Sequence, residues 1–293
     1  MSGFPSIPPY RVDALVVTSN FAQVFRAVDT ALDITVALKV YRVEPELLSR
    51  LPYPEAEWRR RFLREARVLA RLDHPHIIRV NAFGHLDNGR PWMAMPYCVA
   101  NLRREIGRDT VTPEECAALP EGERPRRLAP ERARRVLTQL CQALGAMHAQ
   151  GFVHRDIKPT NLLLTAREDG DIKLCDFGFA KLPSGDSSSG AGKWIGTPDY
   201  IAPEQRRDAS RVNDRADIYA VGVLAYRLLT GELPLGAFPP PSAVVPGLPG
   251  AFDDVVRDAM APRPELRPPA MVLARRLTTG CAGAGSGDRV TKG

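Results

Sequence analysis

The sequence predicts a two-lobed α+β fold: a small antiparallel sheet with one helix in the N-terminal part, then a larger and mainly helical C-terminal part. Three observations predict it. Segments rich in β-branched and aromatic residues crowd the first forty residues, the apolar period changes from two to 3.6 at Glu55, and long apolar-striped helical segments dominate after Tyr97. The boundaries fall at residues 10–97 for the N-terminal lobe and 98–278 for the C-terminal lobe, with 279–293 as a flexible tail.

ALVVTS, FAQVFRAVD and ITVALKVY read as three strands separated by polar breaks. From Glu55 to Leu72 the pattern is helical, with Phe62, Ala66 and Leu69 on one apolar stripe, and Pro75 blocks its continuation. IIRVNAFGHL and RPWMAMPYC read as two further strands joined through the turn Asp87-Asn88-Gly89. The stretch from about Gly107 to Arg127 is polar and interrupted by proline and glycine, as in a surface insertion. Pro130 then opens a buried helix with Leu137, Leu140, Leu144 and Met147 at helical spacing, and Gly151 stops it. FVHRDIKPTNLLLT and DIKLCDFGFA alternate loop and strand signals, and IYAVGVLAYRLLTG is a strongly apolar helix. SGDSSSGAG and AGAGSGDRVTKG are of low complexity and flexible by composition.

Of 293 residues, 44% are hydrophobic, enough for a real core. No run approaches the roughly 20 uncharged apolar residues that cross a bilayer, and MSGFPSIPPYR lacks the apolar centre of a signal peptide, so the expected compartment is the cytoplasm. The 5 cysteines are odd in number and lack metal-ligand spacing, which reads as reduced thiols. A formal charge of +6 comes almost wholly from arginine. Arg59, Arg60, Arg61, Arg64, Arg67 and Arg71 share a helix with Glu55, Glu57 and Glu65, which fits a solvated helix face better than a nucleic-acid surface. Nucleic acid is therefore not an expected partner.

Two charged residues break apolar patterns. Glu65 lies between Phe62 and Leu69 on the stripe of its helix, and Lys39 interrupts VALKVY in a sequence with few lysines. Pairing Lys39 with Glu65 satisfies both, because an inward charge is unfavourable without a counter-ion. Two solvent-facing charges are the alternative. Further on, His154-Arg155-Asp156-Ile157-Lys158-Pro159-Thr160-Asn161 gathers an acid, a base, cations and an amide in one loop after a buried helix. A carboxylate for a hydroxyl proton, a lysine for phosphate charge and an amide oxygen for Mg²⁺ are what phosphoryl transfer needs. Asp176-Phe177-Gly178 adds a second acid, which could bridge Mg²⁺ to phosphates.

These motifs, with IGTPDYIAPE, ADIYAVGVLAYRLLTG and PELRP, resemble the eukaryotic-like protein kinases, especially the bacterial Ser/Thr branch, over about residues 10–278. The resemblance implies the bilobal protein-kinase fold, ATP and Mg²⁺ as nucleotide and metal, and protein substrates. It implies that Lys39 holds the α- and β-phosphates and pairs with Glu65, that Asp156 is the catalytic base, that Lys158 meets the γ-phosphate, and that Asn161 and Asp176 are the metal ligands. Met95 looks like the gatekeeper, Pro96 to Cys98 with Tyr97 like the hinge, and Val24, Ala37 and Leu163 would sandwich the adenine. Leu69, Phe177 and His154 would stack between the lobes, Glu204 and Arg267 would form a buried ion pair, and Asp217 would brace the 154–161 loop.

Lys158 and Thr197 follow the Ser/Thr pattern, so Ser/Thr hydroxyls are the expected acceptors. Arg155 would pair with a phosphorylated residue, with autophosphorylation expected at Ser187, Ser188 or Ser189. Cys98 and Cys175 would border the ATP pocket, and His74 and His76 fit loop packing better than metal binding. One departure is local: the family's glycine-rich loop falls on Val17-Thr18-Ser19-Asn20-Phe21-Ala22, beside Val16, with Val17, Ser19 and Ala22 at the glycine positions. That departure carries the alternative function, a pseudokinase that binds nucleotide or a protein partner without turnover.

Overall fold

The computed structural model describes residues 4–43, 54–177, 198–208 and 212–280. β1 (Tyr10–Thr18), β2 (Ala22–Asp29), β3 (Ile34–Tyr41), β4 (Ala82–His85) and β5 (Pro91–Pro96) form an antiparallel sheet in the order β1-β2-β3-β5-β4. Its period of two sends Phe25, Val36, Leu38 and Val40 to one face, where they pack with Ile7 and Ala94. Ala22, Tyr41, Met93 and Met95 join the main core on the other face. Register fixes what that inner face presents: Val24 lies opposite Lys39, Lys39 opposite Met93, and Ala37 opposite Met95.

Helix α1 (Glu55–Leu69) turns Trp58, Phe62, Glu65, Ala66 and Leu69 inward. It ends three residues before the sequence pattern does, because Arg71 and Leu72 close turns onto Val68 and Leu69. Arg61 departs from the expected solvated face: it is buried, pairs with Glu57 at 3.3 Å and lies 5.0 Å from the centre of the Trp58 ring. Position i+3 brings its guanidinium over the indole face.

The expected strand from Ile77 is also corrected. Only its second half, β4, joins the sheet. Ile78 N–H donates to Leu174 O at 2.9 Å and Leu174 N–H to His76 O at 2.8 Å, so the first half is tied to the C-terminal part. There, β6 (Ala100–Asn101), β7 (Leu162–Leu164) and β8 (Ile172–Leu174) form a three-stranded sheet.

The remaining helices are α2 (Arg103–Ile106), α3 (Pro113–Ala118), α4 (Pro130–His148), α5 (Pro203–Arg207), α6 (Arg215–Thr230), α7 (Pro241–Val244), α8 (Ala251–Ala259) and α9 (Ala270–Thr279). Nearly every side chain of α6 is buried, which makes it the axis on which α4 and α8 pack.

Residues 107–127, read as a plain surface insertion, are anchored from beneath. Arg227 of α6, 1% exposed, donates Nε to Asp109 Oδ1 at 2.7 Å and its Nη groups to the carbonyls of Ile106, Arg126 and Arg108 at 2.9, 3.1 and 3.2 Å. Tyr200 donates its hydroxyl to Asp109 Oδ2 at 3.1 Å. Thr112 and Glu115 form a reciprocal capping box on α3. Gly107 makes the entry close-fitting: its φ is +75°, and a Cβ there would fall 2.0 Å from Arg124 O.

Arg227→Leu removes the guanidinium but leaves Asp109 and three carbonyls buried. Urea denaturation of this variant is expected to show a loss of about 3–5 kcal/mol. A loss under about 1 kcal/mol, the range of an exposed pair, would mean that this anchor does not hold the insertion.

Candidate active site

Lys39 leaves the inner face of β3 and meets α1. Its Nζ lies 2.8 Å from Glu65 Oε1, 2.7 Å from Glu65 Oε2 and 3.6 Å from Asp176 Oδ1. The Lys39 and Glu65 side chains are 16% and 4% exposed, so the pair is largely withdrawn from water. Burial disfavours the ammonium, but the carboxylates of Glu65 and Asp176 outweigh it and hold the Lys39 pKa above the ordinary lysine value. Burial lifts the Glu65 carboxyl, with Lys39 opposing and the Asp176 charge adding to the lift. Contacts under 3 Å to both oxygens keep the pair ionised, with Lys39 protonated.

The loop between α4 and β7 is held as a unit. Asp156 accepts from Lys158 Nζ at 3.0 and 2.8 Å and from Asn161 Nδ2 at 2.9 Å. The same Nδ2 donates to Asp156 O at 2.7 Å, which commits the amide nitrogen and leaves Asn161 Oδ1 as its available ligand atom. Cys175 N–H donates to Asn161 O at 2.9 Å and ties the Asp176 segment to this loop. His154 Nε2 lies 3.0 Å from Cys175 O while Nδ1 accepts from Asp156 N–H at 3.3 Å, partners that assign the proton to Nε2. Its ring meets Phe177 edge to face at 4.8 Å, and Phe177 and Leu69 share the main core.

Beneath the loop, Asp217 of α6 accepts His154 N–H at 2.9 Å, Arg155 N–H at 2.8 Å and His148 Nε2 at 2.8 Å. Burial alone would lift the Asp217 carboxyl; the bond from His148, the two histidines and the Arg155 N–H outweigh it and hold it below the usual carboxylate range. Arg155 and Asp176 both have positive φ, +71° and +65°. Such a conformation costs a non-glycine residue of order 1–2 kcal/mol, and here it stands at the two carboxylate-bearing turns. The Glu204–Arg267 pair, 2.5 and 2.9 Å long, lies further along the chain, with Arg267 fully buried.

Register brings Val24, Ala37 and Met95 to the same face as Lys39. Cys98 and Leu163 are half-buried and pack against the main core; Tyr97 is half-buried between Pro96 and Cys98. Burial pushes the Cys98 thiol up, and burial with the Asp176 charge pushes Cys175 far up, so both stay protonated at neutral pH. His76 faces Ile172 O through Nδ1 at 3.3 Å, a packing contact. Gly178, Ser187, Ser188, Ser189 and Thr197 lie outside the described residues.

The turn from β1 to β2 differs most from the sequence expectation. Val16 and Val17 are each 51% exposed and Ala22 is buried. Ser19 Oγ accepts Ala22 N–H at 3.1 Å and Phe21 N–H at 3.4 Å, and Ser19 N–H donates to Ala22 O at 2.9 Å. None of Val17, Ser19 or Ala22 has positive φ, so the turn does not need glycine's conformational range. The Phe21 ring stacks on Trp58 of α1 at 3.8 Å and 13°. Sequence reasoning missed this tie; a serine three residues before the first β2 residue, with an aromatic between them, was the available signal.

A protein kinase domain model matches residues 10–241. The chain belongs to the protein kinase domain family. Within this family it is similar to bacterial Ser/Thr kinases. It is 36% identical over 272 residues to the serine/threonine-protein kinase PknE of Mycobacterium bovis, covering 88% of this chain and 44% of that protein. To PknH of Mycobacterium tuberculosis it is 34% identical, covering 88% and 40%. To pkn3 of Myxococcus xanthus it is 38% identical over 232 residues, covering 77% and 38%. The kinase chain thus spans less than half the length of these relatives. Family membership implies ATP as substrate and a divalent metal.

Proposed function

We propose that the chain transfers the γ-phosphoryl group of Mg-ATP to Ser or Thr hydroxyls of proteins, with Asp156 as catalytic base. The observation that carries this reading is the convergence of two carboxylate turns: Asp156 with Lys158 and Asn161 on one, and Asp176 beside the Lys39–Glu65 pair on the other. Asp156 accepts the acceptor's proton as its oxygen bonds to the γ-phosphorus and the bond to the β,γ-bridging oxygen breaks. Lys158 offsets charge on the transferred group, and Lys39, held by Glu65, meets the α- and β-phosphates. Bound Mg²⁺ would neutralise phosphate charge. Asn161 Oδ1 and the Asp176 carboxylate fit it, being hard oxygen donors on adjoining turns, and would hold it. Val16, Val17, Ser19 and Ala22 would roof the triphosphate, and Val24, Ala37, Met95, Tyr97, Cys98 and Leu163 would enclose the adenine.

Arg155 supports the proposed activation by autophosphorylation at Ser187, Ser188 or Ser189. Its Nε and one Nη are buried without a hydrogen-bond partner among the described residues. Burial lowers its pKa, and the positive charges of Arg64 and Arg61 act in the same direction against Asp217. A phosphate would satisfy that cluster. Among the described residues no helix is long and apolar enough to cross a membrane. The cytoplasm, where ATP is abundant, is the compartment this reading requires.

With γ-labelled ATP and Mg²⁺, the wild-type protein is expected to label itself on Ser or Thr, and Asp156→Asn is expected to lose this while keeping its melting temperature. Equal labelling by both proteins removes Asp156 from the chemistry. Binding of Mg-ATP without turnover in the wild type would favour the pseudokinase.

The Ser19 turn generates a second expectation. Glycine at positions 17, 19 and 22 together releases the Phe21 and Ala22 amides from Ser19. One recovered charge-assisted hydrogen bond is worth roughly 1.5–3 kcal/mol, so KM for ATP should fall about tenfold with kcat little changed. Steady-state kinetics that leave KM unchanged would mean that this turn does not meet the phosphates.

A further inference from the structure

Beside the 154–161 loop lies an open cavity of about 720 Å³ whose lining includes Arg103, Arg104, Arg108, Thr160, Asn101 and Glu123. Its wall is fixed. Leu102 N–H donates to Leu162 O at 2.8 Å, and Asn101 Oδ1 accepts Arg103 N–H at 3.1 Å, so α2 starts against the strand that follows the loop. Behind it, Arg126 donates to Arg104 O at 3.0 Å and Glu105 O at 3.3 Å.

The charges on that wall are unbalanced. Glu105, the acid of α2, is bound by Arg132 at 2.9 and 2.7 Å. Asp109 is taken by Arg227 and Tyr200. Glu123 meets Arg108 at 3.3 Å, which leaves Arg103 and Arg104 with no ion-pair partner among the described residues. Arg103 Nε is moreover buried without an acceptor among the described residues. A guanidinium donor in that state favours an anion that can reach it.

Distance from the chemistry limits which anion that is. Thr160 is four residues from Asp156, so the chain between them spans at most about 14 Å, the reach of about four extended residues. The cavity is therefore within reach of a few residues of a peptide whose hydroxyl sits at Asp156.

We propose that this basic cavity is a substrate subsite that receives an acidic side chain, Asp or Glu, about two to four residues from the Ser or Thr acceptor. The proposal rests on the phosphotransfer reading above. It gives the domain an acidic substrate preference, set by Arg103 and Arg104 with Arg108 shared between Glu123 and the incoming carboxylate.

The test uses peptides with a single Ser in an Ala/Gly background, carrying Glu, Ala or Lys at each of the four positions on either side. Wild-type kcat/KM is expected to favour Glu over Lys by about tenfold at the best position, the sum of two partly exposed charge pairs, and the preference should fade at high salt. R103E/R104E is expected to invert the ratio at that same position, and the exposed single variant R104Q to reduce it several-fold even if the double variant is poorly folded. A wild-type ratio near one, or a ratio that persists in both variants, overturns the subsite while phosphotransfer stands. If wild type labels no peptide of the set, the subsite is overturned too, and self-labelling in the Asp156→Asn comparison decides the phosphotransfer reading separately.

Discussion

The buried ion pair between Lys39 and Glu65 is the constraint around which the rest of the site is arranged. It joins β3 to α1 across the inner face of the sheet, with both contacts under 3 Å. Removing either partner leaves a charge at that depth poorly compensated, at a cost of about 3–5 kcal/mol, a large share of a domain's total stability. The pair therefore fixes where α1 sits, and α1 carries Trp58 to the β1–β2 turn and Leu69 to the core around Phe177. Asp176, 3.6 Å from Lys39, is the third member and extends the arrangement into the C-terminal lobe.

The second half of the site is held from below by Asp217. One carboxylate on the most buried helix accepts two consecutive backbone N–H groups and a histidine, and it fixes the loop that carries Asp156. The positive φ of Arg155 is sustained by that grip. Strain of this kind persists where surrounding contacts over-determine it. His154 then links this loop to the Asp176 turn through Cys175 O and the Phe177 ring. Sheet, helix and loops are thus coupled through a few polar contacts set within one continuous apolar core.

Much of this was legible in the sequence. Glu65 on an apolar stripe and Lys39 inside a strand each break a local pattern, and local patterns are what a sequence displays. The motif around Asp156 is contiguous, so a candidate site could be marked there before its geometry was known. Features decided by tertiary packing were not legible. The burial of Arg61 depends on the Trp58 ring being turned inward, and Ile77 leaves the strand pattern because β8 offers a better partner. Residues 107–127 look like an unanchored insertion because their anchor, Arg227, lies more than a hundred residues later on an apolar helix. At the β1–β2 turn the missing glycines were visible, but the use of Ser19 Oγ as a substitute acceptor required coordinates.

Glu65→Gln tests the central role of the ion pair most directly, because it keeps the side-chain shape and removes only the charge opposite Lys39. Stopped-flow or steady-state measurement of kcat alongside equilibrium binding of Mg-ATP separates positioning from affinity. If the pair orients Lys39 for phosphoryl transfer, kcat falls by about tenfold or more, consistent with loss of a charge-assisted hydrogen bond, while nucleotide affinity falls less. Unchanged turnover in Glu65→Gln would contradict the account and remove α1 from the mechanism.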